Sequence, residues 1–303
     1  MGDLERKSRL GLSATDLSAD ALGLTAACDR APAPQPEAQG GPALWRVERG
    51  AFKGWLFGTI HVLPSGIAWD TPPIRNAMAQ ADRLILEAAD LQDEEKTLGI
   101  FEDMGRSPAL PPLEQRVPDK ERAALLKAVR DGGTSTQLLS GYESWAAAML
   151  LSAASQQALH VSQDDGVEPA LIAAFKTAGK PISGLETVER QFRAFDTLPP
   201  EAQSKLLVQT VHEAKGMKAL YDRILTAWLK GDMEAIAKED QIGEQPDPVV
   251  EEAILTARNR DWAEAIEPMT GRPFIAVGAG HLTGKDNLIE LLKDRGFTVT
   301  RVQ

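Results

Sequence analysis

The sequence predicts an α/β fold: a central sheet built from two strand–Gly-x-x-His–helix–strand units at the ends of the chain, with large helical insertions between them. Three observations predict it. A short apolar run ends in Gly-x-x-His twice, at Trp55-Leu56-Phe57-Gly58-Thr59-Ile60-His61 and at Phe274-Ile275-Ala276-Val277-Gly278-Ala279-Gly280-His281. Each is followed by an amphipathic stretch and a second apolar run: Pro72 to Gln80 then Arg83 to Glu87, and Lys285 to Lys293 then Phe297 to Val302. Between the two units, apolar residues recur with helical spacing over long stretches.

The chain in order fills in this plan. Residues 1–42 are unlike the rest: a basic start, a moderately apolar stretch, Cys28, then Ala31-Pro32-Ala33-Pro34-Gln35-Pro36. Asp16 and Asp20 interrupt the apolar part, so the segment is expected to be a disordered tail or a degenerate export signal. Residues 43–303 are expected to form a single domain. Ala43 to Val47 and Gly54 to Phe57 read as a hairpin around Gly50. Thr71 and Pro72 start a helix, and Arg83 to Glu87 is a strand ending in a carboxylate. Helical insertions are expected over about 91–163 and 197–268. The first holds a polar helix from Leu91, a helix over Asp119 to Arg130 and an apolar buried helix over Tyr142 to Leu159. The second is helical from Pro200 with breaks at Gly216 and Gly231, and a long helix runs from Pro248 to about Ile266. A helix from Gly166 to Ala178, the strand Ile182 to Glu186 and a helix from Thr187 to Phe195 lie between them.

Composition narrows the function. The 303 residues are 43% hydrophobic and 25% charged, an ordinary globular balance that allows a sizeable core. A net charge of −11 argues against a nucleic-acid partner, which calls for a basic face. One cysteine excludes an intramolecular disulfide and a cysteine-based zinc site. No apolar run approaches the ~18 residues of a membrane span. No Gly-x-Gly-x-x-Gly or Walker sequence is present, so nucleotide binding has no support.

Open α/β sheets bind ligands at the carboxyl ends of their strands. His61, Glu87, Glu186 and His281 are all predicted there. Two imidazoles with one or two carboxylates suit a divalent ion such as zinc, manganese or cobalt. Such an ion lowers the pKa of bound water, and Glu87 could act as general base. On the long helix, Arg258 could stabilise an oxyanion, and Asn259 could orient a carboxylate or donate to a substrate carbonyl. An Asn in mid-helix is a poor helix former, which favours a specific use for it. His160 and His212 read as structural. A metal-free acyl hydrolase lacks a convincing nucleophile, since Ser65 sits in an ordinary Pro-Ser-Gly turn.

Taken together, Leu44-Trp45-Arg46-Val47, Gly58-Thr59-Ile60-His61-Val62-Leu63-Pro64, Leu84-Ile85-Leu86-Glu87, Gly184-Leu185-Glu186-Thr187-Val188-Glu189-Arg190-Gln191, Arg258-Asn259 and Val277-Gly278-Ala279-Gly280-His281-Leu282 resemble the TraB/PrgY/GumN family, whose animal relatives are the TIKI proteases. The resemblance covers about 43–303, with the pieces in the family's order. It implies a sheet with paired Gly-x-x-His motifs and a metal-dependent, peptidase-like site. His61 and His281 match the motif histidines, Glu87 the acidic residue, and Arg258-Asn259 the Arg-Asn pair. One departure is Gly166-Val167-Glu168, where members commonly carry Gly-Val-Asp. Bacterial members are usually exported, which implies the cell envelope. Two expectations follow: a divalent-metal hydrolase of peptides or proteins, or a binding protein that sequesters a peptide or a metal without turnover.

Overall fold

The computed structural model describes residues 40–107, 109–156, 159, 161–162, 164–239 and 247–303. The export-signal reading of the first residues and the structural reading of His160 lie outside these. Six strands form one sheet: β1 Leu44–Arg49, β2 Phe52–Thr59, β3 Arg83–Ala88, β4 Ile182–Glu186, β5 Pro273–Gly278 and β6 Thr298–Arg301, in the order β4-β3-β5-β2-β1-β6. The expected α/β architecture is present. β1 runs antiparallel to both its neighbours, and the β4-β3-β5-β2 pairings are parallel.

The β1–β2 hairpin closes through Gly50, whose φ of +55° supplies the positive angle that primed hairpin turns need. The β2–β5 register decides the centre of the molecule. Gly58 lies beside Val277 and Thr59 beside Gly278, so chain segments 219 residues apart end side by side and their Gly-x-x-His sequences emerge together. β5 is buried along its whole length, as a central parallel strand covered on both faces should be.

Strand alternation sorts the core into two layers. Phe57, Leu84, Leu86, Phe274 and Ala276 pack on one face with Ile74 of α1 (Pro72–Gln80), Phe175 of α5 (Val167–Thr177) and Trp228 near the end of α7 (Pro200–Leu229). Leu56, Ile85, Ile275 and Val277 pack on the other face with Trp262 and Ile266 of α9 (Ala257–Ile266) and Leu288 and Leu292 of α10 (Leu288–Asp294). In the chain order, α2 (Glu94–Gly105), α3 (Arg122–Asp131), α4 (Ser144–Gln156) and α6 (Val188–Asp196) lie between, and α8 (Met233–Glu239) follows α7. α2, α3, α4, α6 and the first half of α7 share a separate apolar cluster around Phe101, Trp145, Phe192 and Phe195.

Two details differ from the sequence reading. α7 continues through Gly216 without a break; no atom crowds that position, and tertiary packing on either side outweighs the ~1 kcal/mol helix cost of one glycine. The long helix ahead of Ile266 is not regular either. A short helix, Pro248–Glu251, passes into a π turn, Glu252–Thr256, before α9 begins. Among the described residues no helix is long and apolar enough to cross a membrane.

Candidate functional site

The site is assembled where β2, β3, β4 and β5 end. Glu87 is the fifth residue of β3 and lies on the same face as Ile85, toward α9. It is 5% exposed, and each of its oxygens is held. The Gly278 amide donates to Oε1 at 2.6 Å, while Arg258 Nη2 donates to Oε2 at 2.8 Å, with Gln191 Nε2 at 3.3 Å. Gly278 must be small here: a Cβ at that position would lie 3.3 Å from Glu87 Oε1 and 3.4 Å from His61 Nε2.

Arg258 enters from the first turn of α9 and is 1% exposed. All five of its N–H groups have partners. Nε and Nη2 reach Glu186 Oε1 at 2.9 and 2.7 Å, Nη2 also reaches Glu87, and Nη1 reaches the Ile254 carbonyl at 2.9 Å and His281 Nε2 at 3.3 Å. The Ile254 carbonyl belongs to the π turn, a distortion of the ladder that recurs near functional sites. The guanidinium also stacks 4.7 Å from the Trp262 ring, one helical turn on. Glu186 Oε2 and Gln191 Oε1 are buried and have no hydrogen-bond partner among the described residues.

The two histidines are oriented in the same way by different means. His281 lies in the 3₁₀ turn Ala279–Leu282 after β5, 1% exposed, with its ring 4.3 Å from Trp262. Its Nδ1 is 2.7 Å from Asn259 Oδ1, and Asn259 Nδ2 donates to the Asp286 carbonyl. Asp286 has a φ of +51°, alone among the described non-glycine residues in the left-handed region. Because the amide nitrogen of Asn259 is bonded to a carbonyl, its oxygen faces the ring. His281 Nδ1 therefore carries the proton and Nε2 the lone pair. His61 Nδ1 is 2.8 Å from Glu168 Oε1, and its Nε2 lies beside Gly278. Glu168 sits in the first turn of α5, where the helix dipole favours a carboxylate. Burial pushes its carboxyl up, but the charge of His61 and the bond to it outweigh this, and the net result is a value below the ordinary 4.5.

Local packing fixes the first motif. Trp228 Nε1 donates to the Gly58 carbonyl at 2.8 Å, and the Tyr221 hydroxyl donates to the Val62 carbonyl at 3.1 Å. Leu63 bridges to Ser162, and the Val167 amide donates to the Ile60 carbonyl, which brings Glu168 up to His61.

All six residues expected at the site, His61, Glu87, Glu186, Arg258, Asn259 and His281, are thus in one place. Three parts of the site were not anticipated as members: the carboxylate of Glu168, the amide of Gln191 and the backbone of Gly278. Glu168 left a trace in the sequence as a carboxylate opening a helix beside the family-pattern departure. Gln191 closed the motif from Gly184, but nothing local separated it from the solvated polar residues usual on amphipathic helices. Outside the site, His212 pairs with Glu121 at 2.8 Å, and Ser65 donates to Asp165 in an exposed turn.

The profile of the TraB/PrgY/gumN family matches residues 43–301. The chain belongs to the TraB/PrgY/gumN family. Among family-sized relatives, it is 26% identical over 265 residues to the uncharacterized protein YbaP of Escherichia coli (strain K12), a match covering 82% of this chain and 97% of YbaP. The YbaP of Shigella flexneri matches equally. The sponge Amphimedon queenslandica has a protein named metalloprotease TIKI homolog, 25% identical over 318 residues, covering 86% of this chain and 61% of the sponge protein. No solved structure matches the chain significantly.

The donor set of this TraB/PrgY/gumN protein is compatible with a divalent ion. His281 Nε2 and Glu87 Oε1 are 3.8 Å apart, a separation that two bonds of about 2.0–2.2 Å can span. Both histidines have Nδ1 engaged, the arrangement that leaves Nε2 for a metal. Among the described residues no group of three or more His, Cys, Asp or Glu side chains is already spaced as a metal shell. Arg258 lies among the donors and touches three of them.

Proposed function

We propose that this chain is a divalent-metal-dependent hydrolase with peptidase-like activity. The observation that carries the reading is that two imidazoles, each anchored through Nδ1, and one oxygen of Glu87 meet around Gly278. His61, His281 and Glu87 would hold the ion, with zinc, manganese and cobalt the chemical candidates. Such an ion supplies a water acidic enough to give hydroxide at neutral pH and polarises a carbonyl. The similarity to a protein named as a metalloprotease supports peptides as the substrate class.

The chain's own residues would divide the remaining work. Asn259 and Glu168 hold the two rings in the tautomer that presents Nε2. Arg258 brings a fixed positive charge to a water-poor site, where it can stabilise charge developing on a carbonyl oxygen. Glu186 orients Arg258 through the pair of contacts on its Oε1. Glu186 was expected as a fourth metal ligand, and in this reading its first task is to hold the arginine.

The test is metal binding by equilibrium dialysis and calorimetry on the metal-stripped chain, compared with a His61→Ala, His281→Ala double variant. The wild type should bind about one ion per chain and the variant none. Hydrolysis of a peptide library is then screened with the bound metal. If neither protein binds zinc, manganese or cobalt more tightly than roughly millimolar, the metal reading fails.

A further inference from the structure

Building on the metal reading above, we infer that Arg258 is a displaceable internal cation, which seals the site in the metal-free protein and swings onto Glu186 when an ion is taken up. The argument starts from which atoms it occupies. An imidazole nitrogen has one lone pair. That of His281 Nε2 faces Arg258 Nη1 at 3.3 Å. The same guanidinium holds Glu87 Oε2 through Nη2. Two of the three groups that would bind an ion are therefore engaged by a positive charge that cannot be removed by deprotonation.

Charge gives the site a reason to exchange one cation for another. One guanidinium faces two buried carboxylates, Glu87 and Glu186, with exposures of 6% and 5% for their side chains. A negative charge is thus left over in a region of low dielectric, where it attracts a cation strongly. A divalent ion on Glu87 and His281 would in turn repel a guanidinium a few ångströms away. The arginine and the ion cannot share His281 Nε2, and on Glu87 they would sit on neighbouring oxygens.

The structure also contains a place for the arginine to go. Arg258 makes both its Nε and Nη2 contacts to a single oxygen, Glu186 Oε1. The second oxygen, Oε2, is buried without a hydrogen-bond partner among the described residues. A small rotation that releases Glu87 and His281 would let the guanidinium take both Glu186 oxygens in a two-pronged pair, the strongest geometry these groups form. The lone buried oxygen is otherwise an unexplained cost. Arg258 would then remain beside the bound ion, ready to meet a substrate oxygen, instead of lying on the ligands themselves.

The experiment is calorimetry with zinc, manganese or cobalt, one at a time, on metal-stripped wild type, Arg258→Met, Glu186→Gln and the double variant. Arg258→Met should tighten the dissociation constant by about tenfold or more, because the competing charge is gone. Glu186→Gln should weaken binding, because the arginine loses its second position, and should weaken it less in the Arg258→Met background. If Arg258→Met does not fold alone, the double variant decides, since it removes both charges and should bind more tightly than Glu186→Gln. Equal or weaker binding after loss of Arg258, in either background, overturns the displaceable-cation inference and leaves the metal site standing. No binding by wild type or any variant overturns the metal reading and this inference with it.

Discussion

The two halves of the site are built from the same sequence pattern and end in different environments. His281 is buried, packed against Trp262, held by the neutral amide of Asn259 and next to Arg258. The His61 side chain is 23% exposed and is held by the carboxylate of Glu168. One half is part of the core and the other opens toward solvent. The repeat therefore fixes where the rings emerge, whereas the helices packed over each half fix how each ring behaves. One ring is held by a charged acceptor, the other by a neutral amide beside a guanidinium.

The largest effects should come from the buried half. Arg258→Met leaves Glu87 and Glu186 without their common partner and should lower stability by roughly 3–5 kcal/mol in urea titration of the metal-free protein. A loss under about 1 kcal/mol would mean the cluster is open to water and the contrast between the halves is overstated. Next come the histidines themselves. His281→Ala removes a buried ring packed on Trp262 and should cost about 2–4 kcal/mol, against under ~1 kcal/mol for the more exposed His61→Ala. Equal costs in parallel unfolding curves would break the comparison.

The orienting groups should matter for binding more than for folding. Asn259→Ala and Glu168→Ala should each weaken metal affinity by about 10–100-fold in calorimetry, the usual effect of removing the partner behind a ligating histidine. Asn259→Asp sharpens the point, because it gives His281 a charged acceptor like that of His61. Binding unchanged by all three variants would show that neither partner sets the tautomer. The smallest effect is a control outside the site. The hydrogen bond from His212 holds the partly buried Glu121 carboxyl below its ordinary 4.5. Its contribution is present above 4.5 and is lost as the pH falls through the lowered value. His212→Ala should remove a slight acid-range slope from the stability curve and leave metal binding unchanged, so any effect on metal affinity would link this pair to the site.

Much of the fold was legible because the pattern was local. Alternating apolar runs, turn glycines and helical spacing are properties of short segments, and each of the six strands follows from them. Where the sequence misled, the deciding force was distant. Gly216 looked like a helix end because isolated glycine favours one, but the apolar contacts of α7 before and after it hold the helix together. The π turn before Arg258 had no signature in the sequence; the Arg258 side chain bonds its Ile254 carbonyl. At the site, residue types at strand ends pointed to His61, Glu87, Glu186 and His281. Arg258 and Asn259 stood out as a pair, but which of those residues each would hold did not.

The sequence by itself determined that two matched strand–turn–His units frame an α/β sheet and that the chain carries the family's motifs. Hydrophobic periodicity and turn chemistry act over a few residues, so these conclusions need no third dimension. Only the tertiary structure decided the side-by-side register of β2 and β5, the pairing of Glu186 with Arg258, and the anchoring of one ring by Glu168 and the other by Asn259. Those contacts join residues tens to hundreds of positions apart. They depend on which faces pack together and which buried charges must meet, and no local pattern encodes that choice.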